Sequence, residues 1–193
     1  MKIKSIRHTV IKNEDLFLFE QMQEGNTKAL DLFFKKYYQK LCRFGVLFES
    51  NSHIIEEKVD DVFISLWSNR DQLNKIKNPK SYIYAILKND LLRVKKNYEI
   101  RSLQNEDHLN NSSLYPSIED EIIANEQKEI NRNVIKNVLE SIPKRTRQIF
   151  EMSRIDGFKY KEISELLDIA PKTVENHIGL ALKHISVNIN KLK

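Results

Sequence analysis

Cysteine, glycine and proline are scarce in this chain of 193 residues, with one Cys, four Gly and four Pro. A single cysteine, Cys42, excludes an intramolecular disulfide framework and a cysteine-rich zinc site. It lies in an apolar helical run and reads as a small core residue. Few helix breakers, 31% charged residues and dominant helical periodicities predict an all-α fold. No apolar run approaches the length of a membrane span, and residues 1–12 lack the apolar segment of a signal peptide, so a soluble cytoplasmic protein is expected. The histidines His8, His53, His108, His177 and His184 show no metal-ligand spacing. Neither a nucleophile elbow nor a glycine-rich phosphate loop is present. The expectation is therefore a non-enzymatic chain with no metal and no cofactor.

What is abundant is charge, and its distribution says more than its sum. The balance is basic, 32 Lys and Arg against 27 Asp and Glu, which suits a nucleic-acid partner. From Lys75 to Arg101 eight basic residues face only Asp90 and Glu99, whereas from Ser102 to Ile130 seven acidic residues face Lys128 alone. Asn, Ser, Asp and Pro116 crowd residues 104–117 and break every periodicity, as a linker does. The reading is a basic N-terminal arm at 1–12, a helical domain at 13–98, an acidic flexible linker at 99–117 and a second helical domain at 118–193. No internal repeat relates the two domains.

In the first domain, Ala29, Leu30, Phe33, Phe34, Tyr37, Leu41 and Phe44 recur at three- and four-residue steps between Asn26 and Leu47, which predicts an amphipathic helix with an aromatic core stripe. A second helix over roughly 54–67 puts Ile55, Val59, Val62, Phe63, Leu66 and Trp67 on its apolar side. Glu56, Glu57, Asp60 and Asp61 lie opposite. A third follows Asn78-Pro79 and carries Tyr82, Ile83, Ile86, Leu87 and Leu91 into a basic end at Arg93, Lys95 and Lys96.

The most informative stretch is Phe158 to Ile185, where two short amphipathic runs meet at a three-residue break, the spacing of a helix-turn-helix. Ile163, Leu166 and Leu167 mark the first helix, Asp168-Ile169-Ala170 the turn, and Pro171 the first position of the second helix, where its missing N–H costs nothing. Val174, Ile178, Ala181, Leu182 and Ile185 are expected on one face of that helix, and Lys172, Thr173, Asn176, Gly179 and Lys183 on the other. Lys159 and Ala170 stand at cap positions that Ser or Thr would fill better. Leu180, an apolar residue on the outward arc, is not explained by contact with DNA. Asn can bond an adenine edge, Lys a guanine or phosphate, and the Thr methyl a thymine, so the polar face suits a major groove. An ordinary helical hairpin with a solvated face satisfies the same periodicity.

The order of EEKVDDVFISLW, then NPKSYIYAILKNDLLRVKK, a linker, and SIPKRTRQIFEMSRIDGFKYKEISELLDIAPKTVENHIGLALKHI resembles a sigma-70 family RNA polymerase sigma factor. The two-domain layout resembles the extracytoplasmic function (ECF) group, which keeps only the second and fourth sigma regions. The resemblance implies that core RNA polymerase and promoter DNA are the partners, that an anti-sigma protein is a further one, and that the free chain is a monomer without membrane insertion. Glu56, Glu57, Val59, Val62, Phe63, Leu66 and Trp67 match the helix that grips a coiled coil of the polymerase, with Asp60 where Gln is usual. Glu56, Glu57, Asp60, Asp61 and Phe63 are thus the expected polymerase contacts. Pro79, Tyr82, Ile86 and Asn89 match the helix facing the minus-10 element, with Tyr82 in place of the more usual Trp. The expected contacts there are Asn74, Lys75, Lys77, Asn78, Tyr82, Lys88, Asn89, Arg93, Lys95 and Lys96. Gly157, Tyr160, Glu162, Ile163, Thr173, Val174 and His177 match the unit that reads the minus-35 element, where Tyr160, Lys161, Lys172, Thr173, Glu175, Asn176, His177 and Lys183 are the expected contacts. In the family the connector runs near the RNA exit path, which an acidic strand could occupy.

The residue chemistry is compatible with these roles. A carboxylate face can accept bonds from a basic partner, although a solvated helix face looks the same. Holding unpaired bases calls for aromatic rings and a cationic groove, worth about 1–3 kcal/mol per base. Residues 69–96 supply both, with burial the competing role for Tyr82 and Tyr84. His177 could touch a phosphate, pack beside Tyr160 or face solvent. Two other readings compete: a dimeric helix-turn-helix regulator acting without polymerase, and a helical adaptor.

Overall fold

The computed structural model describes residues 14–102, 139 and 141–190, and the described residues contain helices and turns but no strand. The arm at 1–12, the linker at 103–117 and the segment 118–138 lie outside the described residues. Helices α1 (Glu14–Gln23), α2 (Thr27–Gly45) and α3 (Ser52–Ser68), a 3-10 turn (Arg70–Lys75) and α4 (Pro79–Ser102) build an N-terminal bundle. Helices α5 (Lys144–Arg154), α6 (Tyr160–Leu167) and α7 (Pro171–Asn190) build a C-terminal unit.

The bundle helices start where short polar side chains can cap them. Asn26 accepts from the Lys28 N–H (3.1 Å), Asn51 from the His53 N–H (3.0 Å) and Asn78 from the Ser81 N–H (3.2 Å). Each satisfies a donor that the first helical turn leaves without a partner. The stripe of α2 becomes the core. Phe33 is fully buried and its ring lies 5.1 Å from Phe19, 4.6 Å from Tyr37 and 6.5 Å from Phe63. Tyr37 keeps its polar end satisfied by donating to Asp15 Oδ2 (2.6 Å). Gly45 lets α2 and α3 approach, since a Cβ there would sit 2.6 Å from the Ile55 side chain. The basic helix α4 runs past Tyr98 to Ser102.

In the C-terminal unit, α6 ends at Asp168 in the left-handed conformation (φ 51°) and α7 begins at Pro171, so the turn falls where the sequence places it. Asp is among the residues that tolerate this conformation. Ile149, Met152, Ile163, Leu166, Leu167, Val174, Ile178 and Ala181 are buried together. One expectation is corrected: Leu182 is 47% exposed, because it lies a full helical step around from the buried Ala181. Helix α5, with the sequence KRTRQIFEMSR, was not anticipated, since charges interrupt its apolar positions.

Candidate nucleic-acid and polymerase interfaces

On α3 the four acidic residues occupy the outer surface, with Glu57, Asp60 and Asp61 exposed and Glu56 half-buried. Lys58 bridges Glu57 (2.7 Å) and Asp61 (2.8 Å). In α2, burial first, and the nearby charges of Glu56 and Asp60 second, push the Cys42 thiol up to about 11. The Tyr38 hydroxyl is pushed up to about 12, again mainly by burial. Cys42 is therefore a half-buried, protonated thiol. Phe63 is corrected: it is buried against Phe33 and Phe34 and packs the bundle instead of facing a partner. The apolar residue that does face outward is Ile64, 63% exposed, one turn beyond Asp60 and Asp61. Sequence periodicity signals it only as an apolar residue off the buried stripe.

The second surface is α4 and the loop before it. Asn74, Lys75, Lys77, Asn89, Arg93, Lys95 and Lys96 are exposed, and Tyr82 is half-buried. Arg93 pairs with Asp90 on its own helix (3.1 Å). Two expected contacts are already engaged by the C-terminal unit. Asn78 donates from Nδ2 to Glu162 Oε1 (3.2 Å) while its oxygen caps α4, and Lys88 Nζ meets Asp168 Oδ2 at 2.5 Å. Tyr84 is buried, with its ring 4.8 Å from Phe158 and its hydroxyl 3.2 Å from Asp156. Burial, followed by the Asp156 charge, puts that hydroxyl far above its ordinary range.

The third surface is the outer face of the helix-turn-helix. Lys161, Lys172, Glu175, Asn176 and Lys183 are exposed, and Tyr160, Thr173 and His177 are half-buried. Lys172 pairs with Glu175 (2.6 Å), leaving Asn176 and Lys183 as the more available polar groups among these. His177 Nδ1 lies 2.9 Å from the Thr146 hydroxyl, which ties α7 to α5. Burial and the nearby Arg145 charge lower its pKa, so the neutral ring is favoured. Packing is thus the role its surroundings support. At the start of α6, the Glu162 carboxylate reaches back to the Lys159 N–H (2.8 Å), supplying from within the helix part of what a Ser or Thr cap would.

The described residues contain no group of three or more His, Cys, Asp or Glu able to hold a metal ion, and no helix among them is long and apolar enough to cross a membrane. Residues missed by sequence reasoning are those between the halves: Arg43, Lys80 and Asp156, brought together from 76 and 113 positions apart.

Comparison with known proteins places two family regions along the chain. Residues 33–101 match the family profile of Sigma-70 region 2, and residues 132–185 that of Sigma-70, region 4. The ECF RNA polymerase sigma-E factor of Escherichia coli K12 is 22% identical over 190 residues, covering 92% of this chain and 95% of that protein. The Shigella flexneri sigma-E factor gives the same values. A solved structure of the sigma factor RpoE in complex with the anti-sigma factor NepR from Bartonella quintana shares the fold, with a TM-score of 0.54 at 15% identity, over 84% of this chain and 98% of that one. With region 2 on the bundle and α4, and region 4 on the helix-turn-helix that follows, the chain belongs to the sigma-70 family of RNA polymerase sigma factors, in its ECF group.

Proposed function

We infer that the chain acts as a promoter-specific initiation factor in which each surface has its own partner. The α3 face with Glu56, Glu57, Asp60 and Asp61 binds core RNA polymerase, joined by Ile64 as an apolar contact. The basic surface of α4 holds the minus-10 element as its strands separate, and the first turns of α7 read the minus-35 element. The observation that carries this reading is the order of the two family regions, each coinciding with a helix whose polar face is turned outward. A dimeric regulator working without polymerase is not favoured, because region 2 would then have no use.

The work is differential binding with no covalent chemistry assigned to the chain. Cognate promoter sequence is preferred through base contacts, and opened DNA through stacking and phosphate neutralisation. An anti-sigma protein is proposed as a further partner, in line with the complex of the structurally similar RpoE. Transcription in vitro from genomic fragments, with purified core polymerase with and without this protein, tests the reading. New start sites that depend on the protein are expected, and identical transcripts in both reactions would overturn it. Replacing Glu57, Asp60 and Asp61 together with Lys should weaken polymerase association without changing the circular dichroism spectrum. Unchanged affinity would remove the α3 assignment alone.

A further inference from the structure

The chain holds only four glycines, and the structure accounts for three of them. Gly25 (φ 83°) and Gly157 (φ 68°) adopt a backbone that other residues resist, and Gly45 gives α3 room against α2. Gly179 meets neither need. It lies exposed in the third turn of α7 with helical backbone, and a Cβ there would meet no atom within 4 Å. Glycine is a poorer helix former than any residue but proline, so its place inside α7 costs stability that no contact among the described residues returns. What it offers is an outward face without a side chain, where a ligand can come close to the backbone.

Leu180 stands next to it, 41% exposed. Taken alone this leucine has no account in polar contact with DNA, but beside Gly179 it gains one. Counted from Asn176, Gly179, Leu180 and Lys183 follow at steps of three, four and seven residues, so the four share one outward arc of α7. Asn176 and Lys183 are exposed and suit a base edge and a phosphate. The apolar feature that a major groove presents among such polar groups is the C5-methyl of thymine. We propose that Gly179 and Leu180 form a thymine-reading contact: the bare backbone at Gly179 seats the third turn of α7 close in the groove, and Leu180 packs on the thymine methyl. This rests on the reading of α7 as the minus-35 helix and extends it past the first turns. Leu180 lies one turn, about 6 Å, beyond Asn176. Base steps of ~3.4 Å put its thymine within about two base pairs of the base that Asn176 reads. Leu180 thus supplies specificity without a hydrogen bond, while Gly179 supplies affinity at every sequence by admitting the helix.

The test removes the methyl and the side chains separately. Duplex DNA is selected from a randomised pool by the full chain, once alone and once with core RNA polymerase, and binding is then measured with whichever form did the selecting. Each thymine of the enriched upstream element is replaced in turn by uracil, which lacks only the methyl. The parent should bind about fourfold more weakly at one thymine, the loss of one buried methyl contact. Leu180→Ala should bind the thymine duplex about fourfold more weakly than the parent and no longer distinguish uracil at that position. Gly179→Ala should bind every selected sequence about fivefold or more weakly, since an added carbon must be forced into a close contact. Its thermal midpoint should be unchanged or higher, alanine being the better helix former. A parent indifferent to uracil at every thymine, or a Leu180→Ala variant that responds to uracil as the parent does, overturns the leucine contact. Leu180→Ala that loses polymerase association while still distinguishing uracil assigns the residue to a protein contact and overturns it equally. Gly179→Ala that binds as tightly as the parent, or loses affinity only together with a lowered thermal midpoint, overturns the close seating. Failure of the sigma reading would register elsewhere, as enrichment by the chain alone that core polymerase does not alter, and the uracil comparison on those sequences still decides the role of Leu180.

Discussion

The two halves of the chain start their helices by different means. In the bundle, Asn26, Asn51 and Asn78 each place a side-chain oxygen on a main-chain N–H of the helix that follows. In the C-terminal unit, α5 follows Pro143 and α6 follows Lys159, neither with a side-chain cap bond, and the residue before Pro171 is Ala170. Each missing cap forgoes about 1 kcal/mol. The C-terminal unit recovers part of this through Glu162 and through burial of Phe158 against the other half. The difference shows a bundle whose local signals and core agree, beside a smaller unit that depends more on packing, including packing across the domain contact.

The sharpest way to break the comparison is at the bundle's centre. Phe33→Ala should cost about 3–5 kcal/mol, a large share of a domain's usual stability, and denaturant titration should show it as a lost or strongly shifted transition. On the C-terminal side the corresponding large effect is functional. Asn176→Ala, at an exposed position, should leave the unfolding curve in place yet lose about 1–3 kcal/mol of discrimination at particular bases. Promoter selection profiles check this, and unchanged base preferences would exclude direct readout by Asn176.

Capping tests the comparison itself. Asn51→Ala should destabilise by about 1 kcal/mol, while Lys159→Ser should stabilise by up to about 1 kcal/mol, since one removes a cap and the other supplies one. Opposite shifts in thermal midpoint are expected, and a loss in both would mean that Lys159 serves α6 in another way. The smallest effect belongs to His177. Its folded pKa lies below the ordinary 6.5, so the unfolded chain binds the proton more readily. Its contribution to stability is therefore present above pH 6.5 and is lost as the pH falls from there through the folded value. The difference in midpoint between the parent and His177→Gln should shrink or reverse between pH 7.5 and 5.5, isolating this group from carboxyls such as the buried Asp156 and the half-buried Glu151, whose desolvation raises their own pKa values.

Periodicity alone determined the buried faces of α2 and α3, because core positions recur at the helical repeat and the aromatic stripe had no other place to go. Pro171 and the polar turn before it likewise set the break between α6 and α7. Helix α5 escaped such reading because Thr146 and Gln148 are buried beside Ile149 and Met152, so its inward face is not written in apolar residues alone. Phe63 shows the converse limit: a motif position matched a contact helix, but packing against Phe33 and Phe34 turned the side chain inward. The tertiary structure alone decided the contact at Asp156. Its partners Arg43, Lys80 and Tyr84 lie 113, 76 and 72 positions away, and no local propensity or spacing couples residues at such range. Only the closing of the C-terminal unit onto α2 and α4 brings one carboxylate within reach of all three.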